Sequence, residues 1–313
     1  MAYEFKGRKA VGTQLARVVA KEFDRALEEV GGSQIVDRTE AVHEARRRVK
    51  KIRAVVRLLQ RDLGKDHRIL NRQLRTIAHQ LSSLRDVDAA VEMMQSVRDR
   101  YPRLVTPSIF AAVQRGLLAR KRGTVEHLHP DHLLPRVARE LRRLAKAMPR
   151  RIRRVGGYTS VRAGMLRAYR RARNAMASVN ANPDDMRFHL WRRRVKDHWY
   201  HVRLLEGLNA HANARGRGLK RLEAWLGDDH NLVLLRATIL SAPARFGDER
   251  ATAIVLGCVT KHHATLRKRA LKLGGRMFAG KPGVFRGSID SWWRAGPSIP
   301  LVSASKRAGE QGQ

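Results

Sequence analysis

The chain has little of several things, and each shortage closes off or disfavours a class of protein. One cysteine, Cys258, stands among 313 residues, which excludes an internal disulfide framework and Cys-based zinc sites and suits a reducing compartment. Aromatic residues make up 5%, sparse for a surface built on stacked bases, which weighs against nucleic acid without excluding it. No apolar run approaches the length needed to span a bilayer, and the start, Met-Ala-Tyr-Glu-Phe-Lys-Gly-Arg-Lys, lacks the apolar core of a secretory signal. No segment alternates apolar and polar residues with period two, so strands are not expected and the chain reads as all-α. Acidic residues are also scarce: 28 against 65 basic ones, a net charge of +37.

What is present complements those gaps. A hydrophobic content of 43% supplies enough apolar material for a packed core and argues against a disordered basic tail. The charge points to a polyanionic partner: nucleic acid, an anionic membrane face or a phosphate polymer. A free amphipathic segment with aromatic anchors is lacking, so no membrane partner is expected. The expected setting is cytoplasmic.

The chain also repeats itself. Residues 43–59, His-Glu-Ala-Arg-Arg-Arg-Val-Lys-Lys-Ile-Arg-Ala-Val-Val-Arg-Leu-Leu, align without a gap on residues 189–205, with ten identities in seventeen positions at a constant offset of 146. We read this as an internal duplication. Coiled as a helix, the first copy places Ala45, Val49, Ile52, Val56, Leu59 and Leu63 on one apolar face and His43, Arg46, Arg47, Lys50, Arg53, Arg57 and Arg61 on the other. The second copy turns Trp191, Val195, Val202 and Leu205 inward and His189, Arg192, Arg193, Lys196 and Arg203 outward. Surface helices usually interleave Glu with Lys or Arg for i,i+4 pairing. Here Glu44 is the single acid between 43 and 61, so the cationic face reads as a binding surface rather than a solvated one.

Periodicity and break signals give the remaining elements. Helices are expected over 11–30, 36–63, 67–84, from an Asp86 N-cap to about Arg100, over 108–127 and over 133–147. Pro149, the run 150–154 and Gly156-Gly157 mark the boundary between halves. The second half repeats the order: a helix over 161–179, the copied motif, a helix from Arg215 to Leu226 with Lys220 in the place of Arg75, another from an Asn231 cap to Ala242, and a long one over 248–273. We expect two antiparallel four-helix bundles, 1–149 and 150–285, related by a pseudo-two-fold axis that brings the two cationic helices to one surface. A tail, 286–313, is expected to be partly disordered, although Phe285, Trp292 and Trp293 suit a return onto the body.

The motifs His43-Glu-Ala-Arg-Arg-Arg-Val-Lys-Lys-Ile-Arg and Leu84-Arg85-Asp86-Val87-Asp88, matched by His189-Leu-Trp-Arg-Arg-Arg-Val-Lys and Leu226-Gly227-Asp228-Asp229-His230-Asn231, resemble the CHAD domain, the conserved-histidine α-helical domain, over roughly residues 5–285. That resemblance implies two four-helix bundles, a basic channel or groove that binds inorganic polyphosphate, and association with polyphosphate granules. Carried onto this chain, it implies binding by His43, Arg46, Arg47, Lys50, Arg53 and Arg57 together with His189, Arg192, Arg193, Lys196 and Arg203, flanked by Arg72, Arg75, Arg217 and Lys220. The second copy departs from the pattern where Trp199 replaces Arg53 and His230-Asn231 replaces Arg85-Asp86.

A bare phosphate chain asks for dense cations and no discriminating donors, which Arg forks and Lys point charges supply. The histidines, as imidazolium, would add donors. No catalytic residue, metal or cofactor is expected. The rival readings are sequence-tolerant RNA or DNA binding, for which Trp199 and Tyr200 are the candidate stacking residues, and a metal-dependent phosphohydrolase. For the latter the candidates are His198 with His201, His127 with His129 and His132, His262 with His263, or His43 with His189 as shared ligands. None of these comes with a carboxylate cluster at ligand spacing.

Overall fold

The computed structural model describes residues 3–7, 10–31, 38–128, 130–155 and 157–295. The described chain is all-α, with eleven α-helices and two short 3-10 turns: α1 Val11–Gly31, α2 Arg38–Leu58, α3 Gly64–Gln80, α4 Ser82–Arg100, α5 Pro107–Leu128, α6 Pro130–Arg154, α7 Tyr158–Ala181, α8 Asp185–Arg203, α9 Ala210–Ser241, α10 Glu249–Phe278 and α11 Pro282–Ala295.

Two apolar clusters hold these helices. The larger draws on α1, α2, α3, α6, α7, α8, the first part of α9, the end of α10, and α11. It therefore runs across the junction between α6 and α7. The smaller is built from Met93, Met94 and Val97 of α4, Phe110, Val113 and Leu117 of α5, Leu232, Leu235 and Ile239 of α9, and Val255, Cys258 and Val259 of α10. The α4–α5 hairpin thus packs on the distal ends of α9 and α10. Helix α9, 32 residues long and so about 48 Å at 1.5 Å per residue, passes from one cluster to the other, with Trp225 packed against both.

Helix ends differ from the sequence reading in ways that have local causes. The break expected between Leu226 and Asn231 is absent, and Asn231 lies inside α9 rather than capping a new helix. Leu226, Leu232, Leu235 and Ile239 are all buried, so the apolar stripe continues through Gly227. Asp229, which looks like part of a turn in the sequence, is buried and accepts a hydrogen bond from Arg267 Nε at 2.9 Å, with the His263 ring nearby. In the first half the break comes earlier than expected, at Leu81, and α4 starts at Ser82. Asp86 therefore lies within α4, not at its start, and its side chain is outside the described residues. Helix α2 stops at Leu58 instead of Leu63, where Arg167 Nη2 donates to the carbonyls of Arg57 and Leu58 at 3.2 and 3.1 Å and satisfies the helix end.

The run 150–154 closes α6 and is not a linker; Ile152 is buried. At the other end, α11 crosses residue 285, with Trp292 and Trp293 buried, so this part of the expected tail belongs to the body. The last dozen residues, the start of the duplicated helix at Val36, and Gly32 and Gly156 lie outside the described residues. The N-terminal segment also joins the core: Tyr3 Oη donates to the Lys51 carbonyl at 3.1 Å, Phe5 N–H donates to the Leu204 carbonyl at 2.8 Å, and the Phe5 ring meets Trp293 edge-on.

Close approach of α7 to the end of α2 depends on Gly164. A Cβ there would lie 2.2 Å from the Leu58 carbonyl oxygen and 2.7 Å from its Cδ1. Gly164→Ala is expected to destabilise the fold by about 2–3 kcal/mol through overpacking, read as a lower denaturant midpoint with unchanged slope. An unchanged midpoint would show that α7 can move away freely.

Candidate functional site

Helices α2 and α8 present their cationic faces to each other, not to opposite ends of the molecule. Each is fixed by its apolar side: Ala45, Val49, Ile52 and Val56 of α2, and Trp191, Val195 and Val202 of α8, are all fully buried. The cations opposite those positions line two cavities. The larger, about 640 Å3, is lined by His43, Arg46, Arg47, Lys50 and Lys51 of α2, by Arg192, Lys196, Trp199, Tyr200 and Arg203 of α8, and by Arg217, Lys220, Glu223 and Asn231 of α9. The smaller, about 330 Å3, is lined by Arg46, Lys50, Arg53 and Arg57 of α2, by His189, Arg192, Arg193, Lys196 and Asp197 of α8, and by Arg75, His79 and Ser82 of α3 and α4. Arg46, Lys50, Arg192, Lys196 and Tyr200 line both. The start of α2 accordingly lies beside the end of α8, and the start of α8 beside the end of α2.

Of the fifteen residues expected at the site, fourteen line one or both cavities. Arg72 does not; it is exposed on α3. Another cavity, about 980 Å3 between α5 and the turn at Arg245–Phe246, contains none of them.

Internal partners temper the cationic rows. Arg57 Nη1 donates to Asp197, Arg47 pairs with Glu44, and Lys196 Nζ lies 2.6 Å from Glu223, with Arg192 at 3.9 Å. Lys51 and Arg48 are held by Glu22, which is buried. The faces are therefore not wholly unneutralised, as the sequence alone suggested. Others bind neutral groups: Arg46 Nε donates to Ser82 Oγ at 3.1 Å, Arg53 Nε to Asn71 Oδ1 at 2.9 Å, and Arg217 Nη1 to Asn213 Oδ1 at 3.2 Å. Lys50 has no ion pair among the described residues.

Crowding of like charges shows in the protonation equilibria. Burial, then Arg46, Lys196 and Arg192, hold the Lys50 ammonium well below its ordinary range. Burial also lowers Lys196, against the pull of Glu223. Arg53 is lowered to about 10 by burial and by Arg57. Glu223 shows the converse: burial pushes its carboxyl up, but Lys196, Arg192 and Lys50 draw it below its ordinary value. Asp228, on the same helix, is pushed up to about 6 by burial and by Glu223.

Burial, then Arg192 and Arg193, lower His189 below its ordinary value; the imidazolium expected from sequence belongs to the phosphate-bound state, where the anion would oppose that shift. His189 Nδ1 lies 3.2 Å from His230 Nδ1, so one ring donates and the other accepts. His230 is held at about 3 by burial, Arg192 and His189.

His43 and His79 line the groove, whereas the remaining metal-ligand candidates stand apart from it. His198 is fully buried among Tyr169, Phe278 and Phe285, and His201 Nε2 meets the Ala54 carbonyl at 2.9 Å. His262 is buried beside Tyr101, His263 lies beside Asp229, and His127 and His132 are exposed; His129 lies outside the described residues. Among the described residues, no group of three or more His, Cys, Asp or Glu is arranged to hold a metal.

Sequence reasoning missed Glu223, Asp197 and the neutral partners Ser82 and Asn71. A signal existed for the acids. Asp197 occupies the second-copy position of Lys51, and Glu223 that of Ala78, so both mark places where the copies differ in charge.

The described body is all-α, and cations from two helices line its groove from opposite sides. The CHAD domain family model matches residues 17–240, and the chain belongs to that family. Its fold is similar to that in the crystal structure of the CHAD domain from the plant Ricinus communis, with a TM-score of 0.55 and 16% sequence identity, over 93% of this chain and 94% of that one. No curated protein matches the sequence.

Replacing Glu223 by Gln keeps the shape and removes the carboxylate that Lys196 and Arg192 share. Because the remaining cations would then face each other uncompensated, Glu223→Gln is expected to cost about 2–4 kcal/mol at low salt. Added sulfate should restore much of the loss, since an anion that binds the folded state stabilises it. A melting temperature equal to wild type at low salt would show that the repulsion is already relieved by solvent.

Proposed function

We propose that the groove between α2 and α8 binds inorganic polyphosphate without catalysis, and that the protein associates with polyphosphate granules in the cytoplasm. One observation carries this reading: Arg46, Lys50, Arg192 and Lys196 belong to both cavities, so the cations form one run from the Arg217–Lys220 side to the Arg75 side. Along a helix, basic positions three or four apart recur about every 5 Å, and each can meet a phosphate of a linear chain. Family membership supports the same ligand class.

Nucleic acid is the weaker occupant of this groove. Trp199 and Tyr200 stack on each other, Arg203 covers the Trp199 ring at 5.3 Å, and Tyr200 is buried. These rings are engaged with the protein's own groups and do not offer open platforms for bases.

Affinity drawn from released counterions falls steeply with salt. The triple reversal Arg46→Glu, Arg47→Glu and Lys50→Glu is expected to abolish polyphosphate binding at about 50–200 mM salt, measured by polarisation of a labelled chain, while circular dichroism stays helical. Complete displacement of polyphosphate by single-stranded RNA at equal phosphate would overturn selective recognition.

A phosphate chain beside His189 would raise the pKa that burial and Arg192 now depress. A group with a higher pKa in the complex takes up a proton on binding, so affinity should rise as pH falls below 6.5, the ordinary imidazole value. His189→Gln should flatten that part of the pH profile. A profile identical to wild type would remove His189 from the contact.

A further inference from the structure

A second cationic surface lies on α6, away from the groove. Leu133, Leu134, Val137, Leu141, Leu144, Met148 and Ile152 turn inward and are buried. At 100° per residue the opposite side carries Arg136, Arg139, Arg143, Lys146, Arg150 and Arg153, all exposed, and three further arginines widen the face to about half the helix circumference. It extends about 27 Å from Arg136 to Arg154 at 1.5 Å per residue. Glu140 is the single acid in that stretch and is half-buried. Arg151 pairs with Asp66 at 3.0 Å; the other cations of the face have no ion pair among the described residues. No residue of α6 lines either groove cavity.

The shape and composition of this face select among polyanions. It has no Phe, Tyr or Trp on which unpaired bases could stack. Its exposed residues without full charge are His132, Pro135 and Ala147, which supply no apolar anchors for lying in a membrane surface. A single file of phosphates would meet one row of cations and leave the flanks unused. A helix about 10–12 Å across with cations on both flanks matches a B-DNA major groove about 12 Å wide, walled by phosphates on either side. In A-form RNA that groove is too deep and narrow to admit it.

We propose that the outer face of α6 binds double-stranded DNA through its phosphates, independently of the α2–α8 groove. The test uses the full chain and a labelled mixed-sequence DNA duplex of about two helical turns, titrated across a salt series. The variant Arg139→Glu/Arg143→Glu/Lys146→Glu/Arg150→Glu is expected to lose at least about tenfold in DNA affinity and about three to four in the salt slope, while keeping its helical spectrum and its polyphosphate binding. The Arg46→Glu/Arg47→Glu/Lys50→Glu variant should keep DNA affinity within about twofold. Should the reversals unfold the chain, the same four positions changed to Gln carry the test. Wild-type DNA affinity in the α6 variant overturns the proposal, as does equal loss in the groove variant. Loss of binding to anionic lipid vesicles with DNA binding intact would assign the face to membranes and also overturn it. Failure of the chain to bind polyphosphate would leave the DNA comparison standing, so the two readings fail separately.

Discussion

The groove exists because two helices are held together by one side while their other sides repel. Arg46 and Lys50 of α2 and Arg192 and Lys196 of α8 crowd into one region, and burial makes that repulsion stronger than it would be in water. What opposes it is the packing behind: Val49, Ile52, Val56, Trp191, Val195 and Val202 are completely buried. Close contacts add to this, such as Trp191 against Gly274 of α10, where a Cβ would sit 2.5 Å from the ring. The apolar faces fix where the charges must stand.

The two sides of the groove are not equivalent. On one side Glu223 sits against Lys196 and Arg192; at the corresponding place on the other side Ala78 offers no charge. Asp197 in turn engages Arg57 on the smaller side, where the first copy has Lys51, itself turned to Glu22. Arg53 and Trp199 differ likewise. The larger cavity thus carries Glu223, with Glu206 and Asp228 also in its lining, and the smaller carries Asp197, so an incoming anion meets different competitors on each side.

Much of this architecture is legible in the order of the amino acids. The 3.6-residue stripes identify the helices, and the repeat at offset 146 identifies α2 and α8 as the pair of interest. Fourteen of the fifteen expected site residues line the groove. Helix ends are less legible, because Gly227 and Asp228-Asp229 have the composition of a turn, and the partner that holds Asp229 inside α9, Arg267, is distant in sequence. Arg72 illustrates a second limit: it is one residue from Asn71, which reaches Arg53, and a single helical step of 100° turns it to solvent. Tyr3 and Phe5 have no periodicity to announce them, since a short irregular segment docks by individual contacts.

Helix α9 enters the larger cluster beside the groove and leaves through the smaller one without interruption. Glu223 and Leu235 are three turns apart on the same rod, with Trp225 wedged where the clusters meet. The same rod that supplies Glu223 to the groove therefore seats the α4–α5 hairpin, and α4 returns to the groove at Ser82, so the smaller cluster is laid down in register with the cations.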